Sequence, residues 1–137
     1  MPARQFFDTN VLVYAFAAND PRSARAESLI AEGGVISVQV LNEFTNVTRR
    51  KLRWQWSQIE AALAVINDLL GPVAPLTTAI HAQAVALARD KELAVYDALI
   101  VAAAQDAGCK ILFSEDLQHG QKFGSLMVEN PFRLPAA

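Results

Sequence analysis

Two adjacent phenylalanines, Phe6 and Phe7, stop at Asp8-Thr9-Asn10, and the chain runs straight on into the apolar stretch Val11-Leu12-Val13-Tyr14. Aromatic residues favour strands, and short polar residues favour helix starts. The junction therefore predicts a first strand feeding directly into a helix, with Asp8 at the carboxyl end of the strand. If the same transition recurs, the chain has few architectures open to it. Strands alternating with helices pack as a parallel sheet with helices on both faces, joined by right-handed crossovers. In such open sheets ligands bind outside the carboxyl ends of the strands.

The transition does recur. Asn10 is a candidate cap for a helix running to about Ala17, and Asp20-Pro21 restarts a second helix that ends at Gly33-Gly34. Val35-Ile36 reads as a short buried strand, and Ser37 caps a helix with Val40, Phe44 and Val47 as its apolar stripe and Leu41 beside it. Ser57-Gln58-Ile59-Glu60 has the form of a capping box. It opens an amphipathic helix with Ile59, Leu63, Ile66 and Leu70 on one face, stopped by Gly71-Pro72. Val73 to Leu76 is a candidate third strand. Thr77 or Thr78 caps a helix through about Lys91, with Ile80, Ala84, Leu87 and Ala88 inward. Leu93 to Asp97 turns into an apolar helix from Ala98 to Ala107, ended by Gly108. Lys110 to Ser114 is the strongest strand in the chain, and Leu126 to Val128 a weaker last one before a tail containing proline.

Residues 1–137 read as one domain with no linker inside it. A hydrophobic content of 53% supplies a sizeable core without metal or disulfide staples. The longest apolar run, Ala98 to Ala104, is far short of the roughly 20 residues a spanning helix requires. With no signal-peptide pattern and a single cysteine, Cys109, the expectation is a cytoplasmic protein off the membrane. A net charge of −2 argues against nucleic-acid binding by bulk charge, though not against a locally basic surface or a site where cations bridge phosphate to carboxylates.

Acids fall where that edge is expected. Asp8 and Asp116 each follow an apolar strand. Asp97 opens a helix whose Ile100, Val101 and Ala104 share its face, and Glu43 lies at the margin of the Val40, Phe44, Val47 stripe. Singly, each has an ordinary reading: a cap, a helix-dipole aspartate, a turn residue or an exposed glutamate. Together, topology brings them to one edge. Two unit charges 4 Å apart at an effective dielectric of 20 repel by roughly 4 kcal/mol, so the cluster requires bound protons or a cation. An all-oxygen set favours Mg²⁺ or Mn²⁺ over zinc.

On these residues the chain resembles PIN-domain ribonucleases of the kind found as VapC-like toxins of toxin–antitoxin pairs. The matching blocks are Phe7 to Tyr14, Asn42-Glu43-Phe44, Tyr96 to Ala104, and Leu112 to Gly120. The resemblance covers nearly the whole chain, and the Tyr96 and Ser114 blocks are its most specific parts. It implies a three-layer α/β/α fold around a central, mainly parallel sheet of four or five strands. It implies Mg²⁺- or Mn²⁺-dependent endonucleolytic cleavage of RNA by Asp8, Glu43, Asp97 and Asp116, with Asp8, Asp97 and Asp116 holding the metal. Thr9, Asn10 and Ser114 are implied as supporting or substrate-orienting groups. A homodimer and a cognate antitoxin protein are implied as well. Some relatives carry a further acid where this chain has Leu117-Gln118, a place Glu115 could fill.

Arg49, Arg50, Lys51 and Arg53 form a basic patch with Trp54 and Trp56, suited to RNA phosphates and bases. Its ordinary reading is a solvated helix end with two tryptophans covering the core or a dimer seam, and Arg22 and Arg25 are a second, weaker basic pair. His81 and His119 read as non-catalytic, and Cys109 as a small buried residue. Two rival functions fit the acids. An aspartate-based phosphatase also uses an aspartate after the first strand, but wants a second one where Asn10 stands. A non-catalytic protein-binding module would bind no metal.

Overall fold

In the computed structural model residues 4–133 are described. Strand β1 (Gln5–Phe7) is followed by α1 (Thr9–Phe16), α2 (Ser23–Ala31), α3 (Val38–Arg50) and α4 (Trp56–Leu69). Then come α5 (Thr78–Lys91), α6 (Val95–Asp106), β2 (Ile111–Phe113), β3 (Lys122–Phe123) and β4 (Leu126–Glu129). The sheet order is β1-β2-β4-β3. The β1–β2 and β2–β4 pairs are parallel and the short β3 is antiparallel to β4, giving the expected three-layer, mainly parallel α/β/α arrangement.

The middle of the sheet is built from the residues that read most clearly as strands. Phe6, Phe7 and Leu112 are fully buried, and the Phe7 and Phe113 rings stack on adjacent strands with centroids 5.9 Å apart. Phe7 lies opposite Phe113, and the Asp8 amide donates to the Phe113 carbonyl at 2.9 Å. This register sets Asp8 beside Ser114 at the carboxyl edge. The helices close the core with Leu12, Ile30, Phe44, Ile66 and Ile100. An apolar seam of Ile80, Ala84, Ala98, Leu99 and Ala102 joins α5 to α6.

Several local expectations are corrected. Asp8, not Asn10, caps α1, its carboxylate accepting the Thr9 amide. Asp20-Pro21 forms a turn ahead of α2, with the Asp20 side chain accepting the Arg22 amide at 2.8 Å, and the helix starts at Ser23. The box at the start of α4 uses Gln55 and Gln58, whose side chain accepts the Gln55 amide at 2.8 Å, instead of Ser57 and Glu60. Helix α6 starts three residues earlier than Ala98. Val35 and Ala74 make single bridges, Val35 to Phe6 and Ala74 to Ser37, so neither segment is a full strand. Those bridges still extend the sheet's hydrogen bonding beyond β1. Strand β3 has no counterpart in the expected elements; two residues are too few to show a period.

Gly34 does more than end a helix. A Cβ there would stand 2.5 Å from the Phe7 ring and 2.9 Å from the Gln5 carbonyl oxygen. Its missing side chain lets Val35 hydrogen-bond to β1, with its amide donating to the Gln5 carbonyl at 2.8 Å and its carbonyl accepting from Phe7 at 3.0 Å. Ser37 and the start of α3 are carried to the sheet edge as a result.

Candidate active site

Asp8 is 3% exposed and holds two hydrogen bonds. Its Oδ1 accepts the Thr9 amide at 2.7 Å and its Oδ2 accepts the Ser114 hydroxyl at 2.7 Å. Ser114 is itself fixed, because its Oγ accepts the Leu117 amide at 3.2 Å. Burial pushes the Asp8 carboxyl up to about 7, opposed by the Ser114 and Thr9 bonds and reinforced by the nearby charges of Glu43 and Asp116.

The other acids reach the same edge from three elements. Glu43, on the second turn of α3, accepts the Thr9 hydroxyl at 2.8 Å on Oε1 and the Gln39 amide at 3.0 Å on Oε2. Thr9 thus joins Asp8 to Glu43, through its backbone on one side and its side chain on the other. Asp116, beyond β2, accepts the Asn10 side-chain amide at 2.8 Å. Asp97, in the first turn of α6, is half-buried, and among the described residues no donor reaches it. Burial raises its pKa, and the charges of Asp116 and Glu43 raise it further. The four acids therefore feel one another, as the order of strands and helices predicts.

Among the described residues every side chain that hydrogen-bonds these acids is neutral: Thr9, Asn10, Gln39 and Ser114. Neutral donors orient carboxylates without cancelling their charge. Among the described residues no three His, Cys, Asp or Glu side chains stand close enough to enclose a metal ion by themselves. The donor set is all oxygen, negative and uncompensated, so these residues fit a hard divalent cation.

Glu115 lies elsewhere. It accepts the Tyr14 hydroxyl at 2.5 Å and both its oxygens accept Arg22 Nη1 at 3.2 Å. Arg22 also pairs with Asp20 and lies over the Tyr14 ring, 3.8 Å from its centroid. Burial, with the Glu115 carboxylate next in importance, pushes Tyr14 up to about 12. Glu115 is turned away from the four acids, and Leu117 is core, so neither supplies a fifth ligand here. Arg22 is consumed by two acids and is not a free contact for RNA. His119 accepts the Asn130 amide at 3.0 Å on Nδ1, a structural use. Cys109 is buried, and burial raises its thiol pKa.

The basic patch divides. Trp54 is half-buried edge-on to Phe44, with centroids 6.2 Å apart, and covers the core. Trp56 is 52% exposed, with the Arg49 guanidinium 4.9 Å from its ring centroid. Arg49 also donates to the Trp54 carbonyl at 2.9 Å, while Arg50, Lys51 and Arg53 are exposed. Gln39 was not among the residues singled out in the sequence. A glutamine one turn before a helix glutamate is a faint signal, and only their shared face could have marked it.

Fold and site together define an α/β protein with acids gathered at the carboxyl edge of a mainly parallel sheet. The PIN domain family matches residues 6–122, and the chain belongs to that family. Among solved structures, Mycobacterium tuberculosis VapC20, a sarcin-ricin loop cleaving toxin, superposes with a TM-score of 0.67 at 26% identity, covering 82% of this chain and 91% of its own. A toxin–antitoxin complex from Klebsiella pneumoniae gives 0.71 at 20% identity, with 95% and 99% covered. VapBC2 from Rickettsia felis, bound to a DNA fragment from its promoter, gives 0.67 at 20% identity, with 91% and 96% covered. These last two show the fold alone. No curated protein matches the sequence significantly. Among the described residues no helix is long and apolar enough to cross a membrane.

Proposed function

We propose that this chain is a divalent-metal-dependent endoribonuclease and the toxin of a toxin–antitoxin pair. The observation that carries the reading is the set Asp8, Glu43, Asp97 and Asp116 at one edge: among the described residues, Asp8, Glu43 and Asp116 are held by neutral donors and Asp97 by none. Asp8, Asp97 and Asp116 would hold Mg²⁺ or Mn²⁺, and Glu43 completes the catalytic set. The ion, when bound, neutralises phosphate charge and lowers the pKa of water. Ser114 and the Thr9 amide fix the Asp8 carboxylate, Thr9 and Gln39 fix Glu43, and Asn10 fixes Asp116. Exposed Arg50, Lys51 and Arg53 extend a phosphate-binding surface from the end of α3, and Trp56 offers a face for base stacking.

Membership of the PIN family favours this over an aspartate-based phosphatase. The toxin–antitoxin complexes among the similar structures support a cognate antitoxin as partner, a homodimer is proposed with it, and the sarcin-ricin loop cleaved by VapC20 is the first RNA to try. The test is cleavage of defined RNAs by purified wild type, Asp8→Asn and Asp97→Asn, with Mg²⁺ or Mn²⁺ and with chelator. Cleavage should require the ion and vanish in both variants. Full cleavage by Asp8→Asn, or undiminished cleavage in chelator, sinks the reading. A phosphoaspartate trapped at Asp8 would support the phosphatase instead.

A further inference from the structure

We infer that Gln39 is a positioning residue that fixes the Glu43 carboxylate so that its charge acts on the cation proposed to sit on Asp8, Asp97 and Asp116; the inference rests on the nuclease reading. Gln39 lies in the first turn of α3 and Glu43 one turn later, so both point from one face. Gln39 is 7% exposed, unusual for so polar a side chain, and its Nε2 donates to Glu43 Oε2 at 3.0 Å. The other oxygen, Oε1, is taken by the Thr9 hydroxyl at 2.8 Å. Two donors on two oxygens fix both the position and the plane of the carboxylate. With Thr9 alone, Glu43 could still turn about its terminal bond, which has only a broad torsional preference.

The chemistry of the donor matters as much as its place. A lysine or arginine at position 39 would hold Glu43 as firmly, but would cancel the charge that attracts the cation. An amide orients without neutralising. Outer groups that orient a metal site's carboxylates commonly govern affinity by 10–100-fold.

The test titrates Mn²⁺ alone, by calorimetry, into wild type, Gln39→Met, Gln39→Lys, Glu43→Gln and the Gln39→Met/Glu43→Gln double variant, with thermal melts of each. Gln39→Met should weaken Mn²⁺ binding about tenfold, and Gln39→Lys should weaken it further. In the Glu43→Gln background, Gln39→Met should add nothing, because the group it positions has lost its charge. A simple packing role predicts the reverse: a melting-temperature loss of equal size in both backgrounds and unchanged Mn²⁺ affinity. Wild-type Mn²⁺ affinity in Gln39→Met, or in Gln39→Lys should Gln39→Met fail to fold, overturns the inference and leaves the nuclease reading standing. A wild-type protein that binds no Mn²⁺ removes the metal reading, and the positioning role with it.

Discussion

Glu115 and Asp116 are consecutive in sequence and opposite in fate. Glu115 is clamped by a cation, Arg22, and by the Tyr14 hydroxyl. Asp116 accepts one neutral amide and lies with three other acids. A carboxylate paired with arginine has its charge compensated by the protein and has little left for a metal. A carboxylate held by amides and hydroxyls keeps its charge for something that arrives later. The chain thus separates structural acids from candidate metal-binding acids by the chemistry of their partners. Burial does not make the distinction, since Asp8 is buried and Asp116 exposed.

The largest expected effect breaks the comparison at its centre. Asp97→Asn should lower RNA cleavage by about 10³-fold or more, the scale of lost electrostatic catalysis. Glu115→Gln should cost less than about tenfold, as a change felt through packing. Comparable losses in the two variants, measured as single-turnover rates at saturating RNA, would dissolve the distinction.

The second effect is on stability without metal. Folding raises the Asp8 carboxyl from 3.8 to about 7, so between those values the folded protein holds a proton that the unfolded chain does not. Stability should therefore fall as pH rises through that window, and the full cost should stand above pH 7. About three pH units at 1.36 kcal/mol each set an upper limit near 4 kcal/mol. Asp8→Asn should be more stable than wild type in chelator at pH 8, and the difference should shrink toward pH 4. Urea melts at several pH values measure this; a less stable Asp8→Asn protein across the whole range would refute it. Added Mn²⁺ should stabilise wild type and leave Asp8→Asn nearly unmoved.

The clamp itself is a smaller matter. Arg22→Met removes a half-exposed ion pair and the cation over Tyr14, with an expected loss of about 1 kcal/mol or a melting temperature lower by about 4 °C. Mn²⁺ affinity should not change. Tighter Mn²⁺ binding in that variant would mean that the freed Glu115 swings in to join the other acids.

What the sequence could display was governed by range. Asp8 at the end of Phe6-Phe7, and Ser114-Glu115-Asp116 after Ile111-Leu112-Phe113, are local patterns, and the parallel sheet puts their carboxyl ends together. Asp97 could be placed because Ile100, Val101 and Ala104 share its face, and all three are buried. The partners of Glu115 could not be seen, since Arg22 lies 93 residues away and meets it only in the folded chain, from the turn ahead of α2. Gln39 looked like any helix glutamine until α3 docked and buried it. Ser37 and Thr77 cap α3 and α5 as their local pattern suggests. The cap of α1 falls on Asp8 instead of Asn10, because one carboxylate serves both as cap and as site acid.

The smallest predicted effect concerns the far side of the comparison, where, among the described residues, positive charges stand free of carboxylates. Arg50 and Lys51 are exposed at the end of α3, in contrast to Arg22, which two acids hold. If they meet RNA phosphates, Lys51→Ala should lower the salt dependence of binding to single-stranded RNA by about 0.7 in log–log slope. Binding should weaken alike for all sequences, because phosphate contacts carry no base information. The cleavage rate at saturating RNA should be unchanged, since the charge acts on affinity and the acids act on chemistry. Salt-dependent fluorescence anisotropy with Asp97→Asn as a non-cleaving background measures the slope directly. An unchanged slope in an Arg50→Ala/Lys51→Ala double variant would return the patch to a solvated helix end, and Trp56 with its stacked Arg49 would then be the remaining part of it to test for RNA contact.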